Sequence, residues 1–212
     1  MAYVKIYISM LNENELKELY LKQKLSVMEI SKIQKCSQNK VNYWMDKYAI
    51  KRRSISDAIY QLNNPNGDPF SIQPINTIEK AKLFGTGLGL YWGEGNKLNK
   101  HSVRLGNTDP GIIKTFIKFL VEIYGIDVSK LRYSLQIFSD VNPQDALDYW
   151  IRELNVDSAM FTKVIITPAR SAGTYRNKNM NGVLTVNFHN YKLRDIIVSM
   201  CRDSSVGRAH SR

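Results

Sequence analysis

The sequence predicts an α+β protein in two parts, a small helical N-terminal unit followed by a larger domain with a mostly antiparallel sheet. Three observations carry that expectation. Residues 14–48 place apolar side chains at helical spacing behind capping serines. Residues 101–189 interleave alternating, strand-like stretches with helical ones. Between them, Gln61–Pro74 (QLNNPNGDPFSIQP) holds three prolines, three asparagines and a glycine, the composition of a linker or long loop. The expected boundaries are 1–60 for the helical unit, 61–76 for the linker, 77–200 for the second domain and 201–212 for a polar tail.

Composition narrows the function classes. At 43% hydrophobic residues and 212 residues in all, the chain can build a real core, which excludes wholesale disorder. No apolar run approaches the roughly 20 residues that span a bilayer, so no membrane partner is expected. Met1–Leu11 alternates Val4, Ile6 and Ile8 with polar or amphipathic residues, which is strand-like and unlike a secretory signal. Two cysteines, Cys36 and Cys201, form no disulfide framework and no metal-ligand spacing. The expected location is cytoplasmic and nucleoid-associated, because a net charge of +11 calls for a polyanionic partner. Residues 1–76 carry 11 basic and 7 acidic groups and residues 77–200 carry 16 and 11, so both parts are expected to meet nucleic acid. In the tail, Ser204–His210 (SSVGRAH) can be reverse-translated into a string like the D-arm of a transfer-RNA gene; no function is placed there.

In the first unit, Leu16, Leu19 and Tyr20 mark an amphipathic helix over Asn14–Gln23 with an asparagine available as cap. Ser26 with Glu29 three residues on forms a capping-box pattern for a second, short helix facing inward through Val27, Ile30 and Ile33. After a turn at Lys35–Cys36, Ser37 caps a third helix to about Tyr48, with Val41, Trp44, Met45 and Tyr48 on one stripe. Helix, turn and capped helix read as a helix-turn-helix, whose third helix would lie in the major groove. Its outward residues are Gln38, Asn39, Lys40, Asn42, Tyr43 and Lys47; Gln and Asn suit adenine edges, Lys and Tyr suit phosphates. Lys51, Arg52 and Arg53 follow as a basic cluster for the DNA backbone. The alternative is a plain helical bundle with a solvated polar face. The stretch EISKIQKCSQNKVNYWMDKYAIKRRS resembles helix-turn-helix modules of resolvase-like and homing-endonuclease-associated proteins.

Thr77–Asn96 (TIEKAKLFGTGLGLYWGEGN) opens the second part as a helix. Gly85, Gly89 and Gly93, spaced by four, share one helical face. Interior helical glycines cost about 1 kcal/mol each relative to alanine, so three in a row need a return, such as close approach of another helix. Glu94 and Gly95 stand at the helix end. The GxxxxGK[ST] phosphate-loop pattern is absent; a structural helix with Glu94 as a solvated end residue is the plain alternative. Gly87–Gly95 (GLGLYWGEG) resembles the LAGLIDADG helix of homing endonucleases, with small residues at Gly89 and Gly93, the acid at Glu94, and a departure at Trp92, where the motif usually has its first acid.

That resemblance implies a saddle-shaped α/β domain acting on double-stranded DNA as a homodimer. Gly85, Gly89 and Gly93 would form the dimer interface, and Glu94 of each copy would bind Mg²⁺. Lys97 would be a charge-stabilising catalytic residue.

The elements that follow are legible one by one. His101–Asn107 alternates as a strand; Asp109-Pro110 starts a helix that stops at Gly125; Leu131–Phe138 alternates again; Pro143–Leu154 is helical. Lys163–Thr167 and Val183–His189 look like a strand pair, and Leu193–Met200 like a last helix. The resulting order is α-β-α-β-α-β-β-α. Two hairpins are usual in the LAGLIDADG domain, so either a strand near Lys97–Lys100 completes the first or the fold is a divergent version. By the same resemblance Arg104, Arg132, Gln136, Thr185 and Asn187 would face DNA. The loop Pro168–Gly182 carries Arg170, Arg176 and Lys178 with no acid, which suits either a DNA clamp or a plain surface loop. His101, His189 and His210 lack the neighbours of a zinc or HNH site, and His189 is expected to pack or hydrogen-bond. The functional expectation is a homing-type endonuclease. A non-catalytic helix-turn-helix regulator is the rival, and RNA is a possible partner.

Overall fold

The computed structural model describes residues 10–169 and 180–203. The chain divides into two compact units, Met1–Gly67 and Asp68–Arg212.

In the first unit, α1 (Glu13–Lys17) is capped by Asn12, whose side chain accepts from the Glu15 N–H, and it continues as a π-helix over Glu18–Lys22. Ser26 and Glu29 complete the capping box at the start of α2 (Val27–Ile33), and the two bonds it receives hold the Glu29 carboxyl below its ordinary range. Ser37 caps α3 (Gln38–Lys47). The α2–α3 turn closes with Lys35 in the left-handed region (φ 47°) and the Cys36 N–H on the Ser31 carbonyl at 2.9 Å. Ile30, Val41, Trp44 and Met45 bury against Leu16, Leu19 and Tyr20. Ile33, expected to face inward, is instead exposed; Ile30 is buried and Val27 packs against the same core.

A fourth helix, α4 (Ile55–Asn63), stands where the sequence suggested the end of the unit and the start of a linker. Ser54 caps it, and Tyr60 buries. The rest of the expected linker is not free either. The Ser71 and Gln73 N–H groups donate to the Tyr124 and Ile123 carbonyls, and Phe70 packs on the second core.

The second unit is an α+β domain in the expected order. It comprises α5 (Ile78–Glu94), β1 (Val103–Asn107), α6 (Pro110–Tyr124), β2 (Arg132–Phe138), α7 (Pro143–Leu154), β3 (Phe161–Thr167), β4 (Val183–Phe188) and α8 (Tyr191–Asp203). Asp109 and Asn142 cap α6 and α7, each with proline in the first turn, and Gly125 ends α6 in the left-handed conformation. The sheet runs β1-β4-β2-β3. β4 is antiparallel to both β1 and β2, and β3 is parallel to β2. The expected β3–β4 pair therefore does not form: α7 carries the chain from β2 to a parallel neighbour, and β4 inserts on β2's other side. Residues 97–100 form no strand; a single Gly95–Leu105 bridge stands there instead.

One face of the sheet, with Val103, Leu105, Tyr133, Leu135, Leu184 and Val186, is buried in a core with α6 residues Phe116, Phe119, Leu120 and Ile123. The glycines of α5 divide in an unforeseen way. Gly87 is the buried one, and a Cβ there would lie 2.1 Å from Phe119 Cγ. Beyond their own helix turn, Gly85, Gly89 and Gly93 have no atom of a described residue within 4 Å of the position a Cβ would take. Gly87→Ala is thus expected to lower stability by about 2 kcal/mol through overpacking against a fully buried ring. Gly89→Ala should raise it by up to about 1 kcal/mol through helix propensity. Denaturant midpoints of the two variants check the pair.

Candidate functional site

Three surfaces collect the residues singled out from the sequence. On α3, Gln38, Asn39, Tyr43 and Lys47 are exposed, while Lys40 and Asn42 are half-buried. All lie outside the Val41–Trp44–Met45 stripe that anchors the helix. The Lys47 ammonium sits 4.6 Å from the Trp44 ring centroid, and Tyr43 packs edge-on to the same ring. Asp46, also exposed on α3, pairs with Arg52 at 2.5 Å, so Arg52 neutralises the one acid of this helix.

Of the basic cluster, Lys51 is free on the surface and Arg53 is not. Its guanidinium donates to the Lys24 carbonyl at 2.7 Å, to the Leu25 carbonyl and to Gln61 Oε1, and it lies 4.2 Å over the Tyr20 ring. Its own N–H donates to the Tyr20 hydroxyl at 2.8 Å. Arg53 ties α4 and the loop before α2 together. Of the three residues expected to meet phosphate, Arg53 is thus the one whose donors are spent within its own unit.

The second surface is the sheet face turned away from the core. Arg104 on β1 stands opposite Asn187 on β4, which stands opposite Arg132 on β2. One step along, Gly106, Thr185, Ser134 and Lys163 line up across all four strands, then Val183, Gln136 and Ile165. All five residues expected on the DNA side, Arg104, Arg132, Gln136, Thr185 and Asn187, share this half-exposed to exposed face. The four strands contain Arg104, Arg132 and Lys163 and no acidic residue, so the face is positive. Arg104 Nε donates to Ser102 Oγ at 2.8 Å and to Asn187 Oδ1 at 3.2 Å. Arg132 holds the Ser129 and Leu131 carbonyls at 2.7 Å. Gln136 Nε2 donates to Thr167 Oγ1 at 3.1 Å. His189, just past β4, lies 3.2 Å from the Asn187 amide. Burial, then the Arg104 and Arg132 charges, hold its imidazole below the ordinary histidine range. Lys163 was not assigned to this face, although alternation points to it once the register is known; His189, expected to pack or hydrogen-bond, hydrogen-bonds here and continues the alternation of Thr185 and Asn187. Arg170, Arg176 and Lys178 lie outside the described residues.

The third surface is the outer face and end of α5. Gly85, Gly89, Trp92, Gly93 and Glu94 are all exposed. Glu94 has no hydrogen-bond or ion-pair partner among the described residues. A carboxylate at a helix C-terminus meets the negative end of the helix dipole, which disfavours it unless a cation sits nearby. The Lys97 ammonium turns back onto the Trp92 carbonyl and lies 5.3 Å from the Trp92 ring centroid, so it caps α5. Asn96 Oδ1 accepts from the Leu98 and Asn99 N–H groups at 3.1 Å, and the Arg194 guanidinium of α8 holds the Lys97 carbonyl. Arg194 was invisible to sequence reasoning, since nothing near it in the chain points to residue 97.

Among the described residues no group of three or more His, Cys, Asp or Glu could hold a metal ion. Among them, too, no helix is long and apolar enough to cross a membrane. No family model, curated protein or solved structure matches the chain.

Proposed function

We propose that the chain is a DNA-binding protein of the homing-endonuclease type that cuts duplex DNA as a homodimer. The observation that carries the reading is the acid-free sheet face on which Arg104, Arg132, Gln136, Thr185 and Asn187 stand in register. A groove-sized surface with guanidiniums for phosphates and amide and hydroxyl groups for base edges suits double-stranded nucleic acid. The helix-turn-helix adds a second contact through α3 and Lys51.

The exposed glycines of α5 support the homodimer. They weaken the helix with no return inside the chain, whereas a second α5 closing on them gains close backbone packing. Such a seam brings together two carboxylates, and hard oxygen donors suit Mg²⁺. Glu94 from each copy would hold the ion. Bound there, Mg²⁺ supplies charge stabilisation on the phosphodiester oxygens and a more acidic water. Lys97 adds fixed positive charge at the end of α5, and Arg194 and Asn96 hold the turn that carries it. Trp92 in place of a second acid favours the rival, a regulator that binds without cutting.

The test is fluorescence anisotropy of the full chain with a random-sequence duplex across a salt series, followed by cleavage of a randomised-site plasmid library in Mg²⁺. Binding should fall steeply with salt, and Arg104→Gln with Arg132→Gln should flatten the log–log slope by about 1 per lost phosphate contact. Duplex binding without cleavage in Mg²⁺ or Mn²⁺ would establish the regulator. Absence of salt-dependent duplex binding, or preference for single-stranded RNA, would sink the DNA reading.

A further inference from the structure

The hydrogen bonds around Asn187 bear on the proton that His189 can carry. Arg104 Nε–H donates to Asn187 Oδ1 at 3.2 Å, and a guanidinium can only donate. That contact orients the amide with its oxygen toward Arg104 and its Nδ2 away. Nδ2 lies 3.2 Å from His189 Nε2. An amide NH₂ can only donate, so this contact suits a ring whose Nε2 accepts, the neutral form protonated on Nδ1.

Among the described residues the fixed charges that bear on this ring have one sign. The charged groups bearing on His189 are Arg104 from β1 and Arg132 from β2, which flank Asn187 in register. Both guanidiniums spend bonds on neutral oxygens only, those of Ser102, Asn187, Ser129 and Leu131. Arg104 Nη1 and Nη2 have no partner among the described residues. Two unneutralised guanidiniums, an amide and an imidazole thus share one end of an open sheet face.

We propose that Arg104, Arg132, Asn187 and His189 form a single phosphodiester-binding site, and that phosphate binding draws a proton from solvent onto His189 Nε2. The inference rests on the reading of this face as a nucleic-acid surface. Once protonated, Nε2–H can no longer face the Asn187 NH₂, so the ring turns and both groups become donors to the phosphate oxygens. A phosphate between the guanidiniums cancels the repulsion that keeps the ring neutral, and burial of the ring is then compensated by a charge-assisted bond. Proton and phosphate each favour the other, so affinity rises as pH falls from neutrality through the histidine range.

The test is anisotropy of the full chain with a random-sequence 20-base-pair duplex at fixed salt between pH 7.5 and 5.5. Wild type should bind about threefold to tenfold more tightly at pH 5.5 than at pH 7.5. His189→Gln should lose that dependence, and His189→Arg should bind tightly at both pH values. His189 is exposed as a residue past the end of β4 while its ring is only partly desolvated, so neither change threatens folding. In parallel, the His189 ring resonance, assigned with His189→Gln, is titrated in inorganic phosphate against a chloride control, and its pKa should rise in phosphate. If wild type and His189→Gln share one pH slope, the proton-linked site is wrong while DNA binding stands. If wild type binds no duplex, the proposed function falls, and the phosphate titration decides the site alone. A rise in pKa upholds an anion site, and an unchanged pKa overturns it.

Discussion

Replacing Glu94 with glutamine should lower Mg²⁺-dependent cleavage by at least about 10³-fold while leaving duplex affinity within about twofold. The size follows from the charge: the amide keeps shape and one oxygen but removes the anion that would hold the cation, and loss of such stabilisation costs several kcal/mol of barrier. The selectivity follows from the structure. Glu94 is exposed, makes no hydrogen bond or ion pair among the described residues, and stands on α5 while the cationic side chains stand on the sheet and on α3. Single-turnover cleavage of a selected site and anisotropy on the same duplex separate the two effects. Equal cleavage by wild type and Glu94→Gln would remove Glu94 from the chemistry. A parallel loss of binding would instead make it a contact residue.

The second large effect is expected on folding, at a residue the sequence suggested for DNA. Arg53→Ala should destabilise the N-terminal unit by about 3 kcal/mol, since hydrogen bonds to a charged group contribute about 1.5–3 kcal/mol each and stacking on Tyr20 adds about 1, less the freed side-chain entropy. A helical unit of this size has a total stability on the order of 5 kcal/mol, so about 2 kcal/mol would remain and the unfolded fraction would rise to a few per cent. Hydrogen exchange at the Val41, Trp44 and Met45 amides reads this directly. Arg53→Lys should not restore protection, because one ammonium cannot span the Lys24, Leu25 and Gln61 acceptors. Lys51→Ala should show the converse, weaker duplex binding with stability unchanged within about 0.5 kcal/mol. If both variants instead bound DNA less tightly with identical exchange, Arg53 would be a phosphate contact after all.

Arg53 illustrates where sequence reasoning stopped. K-R-R is three cations to a local reading, and only the return of α4 shows that the third is surrounded by carbonyls. The helix α4 was overlooked although its signals are local, a Ser54 cap and Ile55, Ile59 and Leu62 at helical spacing; those three are exposed. Tyr60 and the Gln61 contact seat it, and these are tertiary. The same holds for α5. A spacing of four places Gly85, Gly89 and Gly93 on one face, but it cannot say whether a partner lies there. Phe119, thirty-two residues beyond Gly87, selects a glycine outside that set.

What the chain specifies locally it also announces locally. The caps at Ser26, Ser37, Thr77 and Asp109, the stop at Gly125, and the alternation of β1, β2 and β4 each depend on residues within one turn or one strand, and each is found as the sequence suggests. The α+β class follows from their order. Only tertiary structure decided that β3 pairs in parallel with β2, that β4 lies between β1 and β2, and that Arg104, Arg132, Asn187 and His189 meet. Those contacts join residues up to 85 positions apart, and strand pairing across such a distance is settled by which faces can bury together, which no local pattern records.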